Sequence, residues 1–369
     1  MQINNKQQTI MISGARAPIA LELARSFKAM GHRVIMIDCL HLTIARWSNS
    51  VCKYYFVPSP RFQNELFVLK IQEIIRLENV THFIPTCEEA IFVSQNKDRF
   101  ACKVWTTDLG LMLHLHNKYT FASANRCGFP VPKTILLTDF DDWGRSESYV
   151  FKPIYSRFAS SVIIRKKINR QYFKETDKHR WVAQEFIAGK EICVYSIWDN
   201  GKLKAYAAYQ PLYRAGKGAG VFFEPVANDV IFEYVKTAGS KLNYTGQLSF
   251  DVILSKDGTP YFIECNPRGT SGGHLINKDL ADAFLGSNTY IHTDKQEFSI
   301  KYAMAILHLH SFAKKRVWQS KDIIFKWNDL APFFLQLISL IEVAYLKFTQ
   351  KTSWLGATTR NIEWNGYEN

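Results

Sequence analysis

No Cys-x-x-Cys pair occurs in this sequence. Its seven cysteines (Cys39, Cys52, Cys87, Cys102, Cys127, Cys193 and Cys265) lie far apart in the chain. That scatter argues against a disulfide framework or a structural zinc site and for a reducing compartment. The ten histidines, His114, His116, His308 and His310 among them, show no ligand spacing with Cys or carboxylates, so no zinc is expected. No basic segment followed by an apolar core opens the chain, and the expectation is a cytoplasmic protein. The full dinucleotide fingerprint is missing as well: Gly14-Ala15-Arg16-Ala17 keeps only its first glycine, which argues against NAD or FAD. The net charge of +13 is not gathered into one long basic block. It suggests an anionic ligand without specifying nucleic acid.

What is present is the composition of a folded protein, 47% hydrophobic and 21% charged, in a chain of 369 residues, long enough for two or three domains. Thr9–Ser13 is a short β-branched run ending at Gly14. Pro18 opens an amphipathic helix carrying Ile19, Leu23, Phe27 and Met30 on one side, and Arg33–Asp38 is the next strand. This is a βαβ unit, and a further helix (66–77) and strand (82–85) carry the pattern to about residue 110. The close prolines of Gly128-Phe129-Pro130-Val131-Pro132 end the helical stretch that Asn117-Lys118-Tyr119 begins, and force an extended path into a new domain.

That domain opens with the strand Tyr149–Pro153, which presents Lys152. A serine-rich loop, Ser156–Ser161, follows, whose hydroxyls (Ser160 among them) and backbone N–H groups can fold over phosphates. Next come a strand Trp181–Ile187, the link Ala188-Gly189-Lys190-Glu191, and strands 192–198 and 203–209. The glycine-rich stretch 214–220, with Arg214 and Lys217, reads as a loop suited to an anionic substrate. Two further runs, 248–254 and 261–266, flank Lys256-Asp257-Gly258-Thr259, a strong hairpin signal that sets Asp251 beside Glu264. Along the second run Glu264, Asn266 and Arg268 fall at alternate positions and share a face. Two carboxylates and an amide are hard oxygen ligands suited to Mg²⁺, and the guanidinium suits phosphate or a developing oxyanion.

These elements in this order resemble the ATP-grasp superfamily, over roughly three-quarters of the chain, and within it the carbamoyl-phosphate-synthase-like and biotin-carboxylase-like carboxylate–amine ligases. Asn117-Lys118 is similar to the family's D-K element and Phe151-Lys152-Pro153 to its v-K-P. Gln184-Glu185-Phe186-Ile187-Ala188-Gly189-Lys190-Glu191 resembles its E-x-x-x-x-G-x-E hinge, and Asp251 with Ile263-Glu264-Cys265-Asn266-Pro267-Arg268 its metal element. The departures are Asn117, Gln184 and the serines after Lys152. The resemblance implies a parallel-sheet α/β domain (residues 1–110) ahead of a two-lobed α+β ATP-grasp fold (111–285, small lobe about 130–190, large lobe about 190–285). A helical C-terminal extension (286–369) completes the chain.

It further implies that ATP lies between the lobes, with Lys118, Lys152 and Ser160 on its phosphates. Glu185 and Ile187 would address the adenine through their backbones, Gln184 and Phe186 would belong to the same nucleotide-binding segment, and Glu191 would hold the ribose. Asp251, Glu264 and Asn266 would hold Mg²⁺ (or Mn²⁺), and Arg268 and Arg214 would serve the chemistry. The implied reaction activates a carboxylate as an acyl phosphate and passes it to an amine or related nucleophile. The partners are then small molecules, with no nucleic acid, and a homodimer is compatible. Two alternatives stay open: an ATP-binding regulatory or interaction protein without turnover, and a carboxyphosphate-forming enzyme. Against the second, no biotinyl Met-Lys-Met or glutaminase Cys-His pair is seen. The apolar run 330–346 has two readings, a helix packed on the body or at a dimer interface, and an interfacial helix approaching a lipid or lipid-linked substrate.

Overall fold

The computed structural model describes residues 7–156, 161–216 and 218–366. Three sheets organise them. The first is wholly parallel and runs Lys53–Phe56, Arg33–Asp38, Thr9–Ser13, His82–Ile84, Lys103–Val104 from edge to edge. Its residues alternate between two covered faces. Ile10, Ile12, Val34 and Met36 pack with Leu21, Leu23 and Phe27 of the helix Pro18–Ala29. Met11, Ile35 and Ile37 pack with Phe67, Val68 and Ile71 of the helix Asn64–Glu78. Burial on both faces explains why these strands read as continuous apolar runs.

The second sheet is small and antiparallel, in the order Thr134–Leu136, Trp181–Glu185, Tyr149–Pro153, Ile163–Ile164. Its core is aromatic: Phe140, Trp143, Phe151, Phe173 and Trp181 crowd one face, with Phe140 edge-on to Phe151 at 5.4 Å between ring centroids. The third sheet has eight strands, with Pro260–Asn266, Gly246–Ser255, Gly189–Asp199, Lys202–Ala215 and Ala219–Pro225 as consecutive antiparallel neighbours. Three two-residue strands from the C-terminal region complete it: Tyr290–Ile291, Phe298–Ser299 and Lys321–Asp322. The helix Asp229–Lys241 covers one face, where Gly239 lets the helix backbone approach the Trp198 ring. On the other face Ile197, Ala205 and Tyr209 share a core with Ile10, Ile19 and Trp105 of the parallel-sheet domain.

Several elements differ from the sequence expectation in extent. Four residues of the expected loop 214–220 belong to strands: Arg214 and Ala215 end one, Ala219 and Gly220 begin the next, and the register pairs Arg214 with Gly220. The hinge residues Gly189, Lys190 and Glu191 already belong to a strand. Gly189 is required there, because a Cβ would meet the Leu254 carbonyl oxygen at 2.2 Å. At the C-terminus, the helix Ala331–Thr349 leans on the short turn Ile44–Trp47 and on the helix Trp354–Thr359. Beyond it Trp364 packs edge-on to Phe92 at 5.4 Å and Arg61 pairs with Glu363 at 2.5 Å, which pins the tail to the parallel-sheet domain.

Candidate active site

The Asp-Gly turn fixes the register of the two strands it joins. Asp251 and Glu264 are direct partners, next to a bulge between Asp251 and Val252. Asn266 closes the strand, is 7% exposed, and donates from Nδ2 to Asp251 Oδ2 at 3.1 Å. Burial pushes the Asp251 carboxyl well above the ordinary carboxylate range, and the like charges of Glu264 and Glu191 add to the effect. A divalent cation is the group that relieves such a cluster. Glu191 and Asp251 also bring ligand atoms within 4.8 Å of the Cys193 sulfur, which the sequence did not single out. Burial, with Asp251 and Glu191 beside it, pushes the Cys193 thiol far up; sulfur is a soft donor, mismatched to a hard cation such as Mg²⁺.

Two lysines approach from the other side. Asn117 caps the short helix Lys118–Ser123, its side chain accepting from the N–H groups of Tyr119 and Thr120. An Asn therefore performs the capping of the expected Asp. The cap turns Lys118 inward, where its Nζ lies 3.5 Å from Glu264 Oε2 and donates to the Ser156 carbonyl at 3.1 Å. Lys152, on the strand Tyr149–Pro153, donates to Gln184 Oε1 at 2.9 Å and to the Ile263 carbonyl at 3.0 Å. Burial brings its ammonium down to about 8, with Glu264 opposing the shift and Lys118 reinforcing it. Gln184 gives Lys152 a neutral acceptor, and its own amide donates to Thr134 Oγ1 at 3.0 Å. Ser160 lies outside the described residues.

Between the small and large sheets runs a cleft of about 250 Å³. Val150, Val162, Ile164, Phe186, Ile253 and Ile263 make one part of it apolar, while Lys152, Glu191, Arg214, Asp251 and Glu264 line the rest. A flat heteroaromatic base fits the apolar part and charged phosphates the polar part. Glu185, Phe186 and Ile187 all border the cleft. The N–H of Glu185 is already given to the Lys133 carbonyl and that of Phe186 to Ser148 (both 2.9 Å), so neither is free to read a base edge. Glu191 pairs with Arg214 at 2.5 Å, and Arg214 also donates to the Gly218 carbonyl at 2.8 Å. The expected ribose carboxylate and the expected catalytic guanidinium are thus held against each other.

Arg268 lies just past its strand, and its Nη2 still reaches Asn266 Oδ1 at 3.2 Å. Its main partner was not foreseen: Glu88 of the parallel-sheet domain accepts from Nε at 2.8 Å. Burial works against the guanidinium charge, but Glu88 more than restores it and keeps Arg268 firmly protonated. His116 stands 3.6 Å from the other Glu88 oxygen. The loop itself is clamped: Gln247 donates to the Pro85 carbonyl at 2.8 Å, and a Cβ at Gly269 would meet the Thr86 carbonyl at 2.9 Å. His274, six residues beyond Arg268 in the chain, points away from the Asp251 and Glu264 carboxylates: it is 1% exposed and set 3.3 Å from Glu22 of the helix Pro18–Ala29.

Comparison with known proteins agrees with this architecture. Residues 115–272 match the family model described as the ATP-grasp domain. Among solved structures, N5-carboxyaminoimidazole synthetase from Staphylococcus aureus is similar at a TM-score of 0.65 and 15% identity, over 84% of this chain and 88% of that one. L-amino acid ligase from Bacillus licheniformis is similar at 0.58 and 16% identity, over 80% and 79%. The biotin carboxylase domain of the Hydrogenobacter thermophilus 2-oxoglutarate carboxylase, solved with MgADP and bicarbonate, gives 0.59 and 14%, over 76% and 70%. No curated protein sequence matches the chain. At these identities the neighbours speak for the fold, and the family match speaks for the central region. The match to the ATP-grasp domain covers the region that carries the facing carboxylates and both lysines, residues 115–272.

Proposed function

We propose that this protein is an ATP- and Mg²⁺-dependent, ADP-forming ligase that activates a carboxylate as an acyl phosphate and transfers the acyl group to an amine or related nucleophile. The observation that carries the reading is the register pairing of Asp251 with Glu264 on the wall of a cleft that also holds Lys152, with Asn266 hydrogen-bonded to Asp251. Neighbouring folds solved with nucleotide support it: the Staphylococcus aureus synthetase with ADP and the Hydrogenobacter thermophilus domain with MgADP.

The donor set of Asp251, Glu264 and Asn266 is all oxygen and fits Mg²⁺ or Mn²⁺, which when bound supplies charge neutralisation at the transferring phosphoryl group. Lys118 and Lys152 bind and orient phosphate oxygens. The apolar part of the cleft takes the adenine, and the Ile187 N–H, which has no acceptor among the described residues, supplies a donor to its edge. A substrate carboxylate oxygen attacks the γ-phosphorus as the bond to the ADP oxygen breaks. The nucleophile then adds to the acyl carbon, and inorganic phosphate leaves with the electron pair of the C–O bond. Phosphoryl transfer asks for positioning and charge more than for covalent help. Arg268, held by Glu88, stabilises the oxyanion of the second step. Glu191 and Arg214 separate as ribose and substrate arrive.

The test is Mg-ATP turnover against a panel of carboxylic acids, bicarbonate included, with hydroxylamine as the trap. A hydroxamate formed from one acid, with stoichiometric ADP and phosphate, is the expected result. Measurable ATP binding without ADP release for any acid or nucleophile would remove the ligase reading and leave a nucleotide-binding role.

A further inference from the structure

The helix Ala331–Thr349 is built inside out. Phe334, Leu337, Leu340, Ile341, Tyr345 and Phe348 recur at helical spacing, and each is between 46% and 72% exposed. The one carboxylate of the helix points the other way: Glu342 accepts from the backbone N–H groups of His41 at 2.9 Å and Leu42 at 2.6 Å. Pro332 and Val343 are buried on that same side. By length and mean hydropathy (19 residues, 1.4) the helix passes as a membrane span, yet crossing a bilayer would strip Glu342 of both bonds. Its attachment instead lays the helix along the surface of the folded body, with the apolar stripe outward.

Indole rings stand at both ends of the stripe. Trp327, 83% exposed, precedes the helix and touches Phe325 at 4.9 Å, which in turn packs on Phe333 at 5.1 Å. Trp354, 49% exposed, follows the helix, and Lys347 Nζ lies over its ring at 4.7 Å and over Phe348 at 5.1 Å. Lys351 is exposed one step further on. Tryptophan and tyrosine prefer the headgroup level of a bilayer, and basic residues beside an apolar helix face add attraction to anionic lipid.

We propose that this face seats the protein on a membrane surface containing anionic lipid, with the helix axis lying in the interfacial plane. The charge of +13 favours that occupant over a second copy of the chain. Two copies face to face would bury the stripes but bring their lysines together, whereas acidic headgroups satisfy both. The inference is independent of the catalytic reading.

The test is flotation of the full-length protein with phosphatidylcholine vesicles, with and without phosphatidylserine. Wild-type protein is expected to float with the phosphatidylserine vesicles. A Phe334→Ser, Ile341→Ser, Phe348→Ser variant, with wild-type melting behaviour, should lose roughly tenfold or more of its partitioning. Lys347→Glu with Lys351→Glu should remove the preference for phosphatidylserine while keeping the apolar stripe. Wild-type protein remaining unbound with both vesicle types, or the serine variant floating as well as wild type, would overturn the proposal. So would a dimer, measured by sedimentation, that the serine variant dissolves in a protein that does not float.

Discussion

Replacing Glu88 by Gln tests whether the parallel-sheet domain takes part in the chemistry or only supports it. Glu88 is 3% exposed and meets Arg268 Nε at 2.8 Å. At an effective dielectric near 20, two unit charges at that separation attract by about 6 kcal/mol before desolvation is counted. Truncation to Ala would leave a buried guanidinium with the Asn266 and Gly269 oxygens as its acceptors among the described residues, and breaking a buried pair in this way costs about 3–5 kcal/mol. Glutamine keeps the shape and an acceptor, so only the difference between a charged and a neutral hydrogen bond is lost, about 1–2 kcal/mol. If Arg268 acts at the oxyanion, that loss appears in kcat as a decrease of roughly 5- to 30-fold, with little change in KM for ATP. The assay is steady-state hydroxamate formation with the acid identified by the trapping screen, beside Arg268→Lys as the reference. A Glu88→Gln enzyme with wild-type kcat, where Arg268→Lys is crippled, would refute the positioning role. A rise in KM for ATP alone would move Arg268 from the oxyanion to the nucleotide.

Glu264→Gln should reduce ATP turnover by roughly a thousandfold or more, since it removes one of two facing carboxylates from the metal site; near-normal ADP release would sink the assignment. Gly239→Ala should destabilise the fold by about 1–3 kcal/mol, read as a lower urea midpoint, because the new Cβ would sit 2.3 Å from the Trp198 ring; an unchanged midpoint would mean that helix is free to shift. At Glu78 burial raises the carboxyl, but hydrogen bonds from Lys53, Tyr55 and Arg33 outweigh it and hold the group at about 2 against an ordinary 4.5. The folded-state value is the lower one, so the stabilisation is whole above 4.5 and fades as pH falls toward 2. The gap in denaturation midpoint between wild type and Glu78→Gln should therefore close in that window, and a gap independent of pH would contradict the pairing.

How much of this was legible in the sequence depended on the range of the interaction. The Asp-Gly turn is local, and a hairpin register propagates without further information, so the Asp251–Glu264 pairing follows from a short stretch of chain. The Lys118 position follows from a cap one residue away. Glu88 carries no such local mark: it reaches Arg268 only because the two domains share a core, and no periodicity spans that separation. The two-residue strands 290–291, 298–299 and 321–322 are equally silent, since two residues cannot display a period of two. The apolar run near the C-terminus was visible as composition. Which face it would bury was not, because Glu342 turns inward to satisfy backbone N–H groups of a distant turn, against the usual rule that the charged face meets water.

The charges around the cleft explain why nucleotide and metal must arrive together if the proposed chemistry holds. Lys118 stands by Glu264, Arg214 by Glu191, and Arg268 by Glu88, while Lys152 is held by neutral oxygens and Asp251 is crowded by carboxylates. Arg214, Arg268 and Lys118 are thus each already matched by an acid. Among the described residues that line the cleft, Lys152 is the one cation without a carboxylate partner, and a bare triphosphate entering there would be repelled by Asp251 and Glu264. With a divalent cation on those two carboxylates the repulsion becomes attraction, and Lys118 is released toward phosphate. ATP binding measured by calorimetry should thus weaken by roughly tenfold or more when Mg²⁺ is chelated, about 1.4 kcal/mol or more. In Asp251→Asn, Glu264→Gln protein the chelator should have far less effect, because the repelling charges are gone. Equal ATP affinity with and without Mg²⁺ in the wild type would mean the phosphates lie away from these carboxylates, and the metal role would have to be assigned elsewhere.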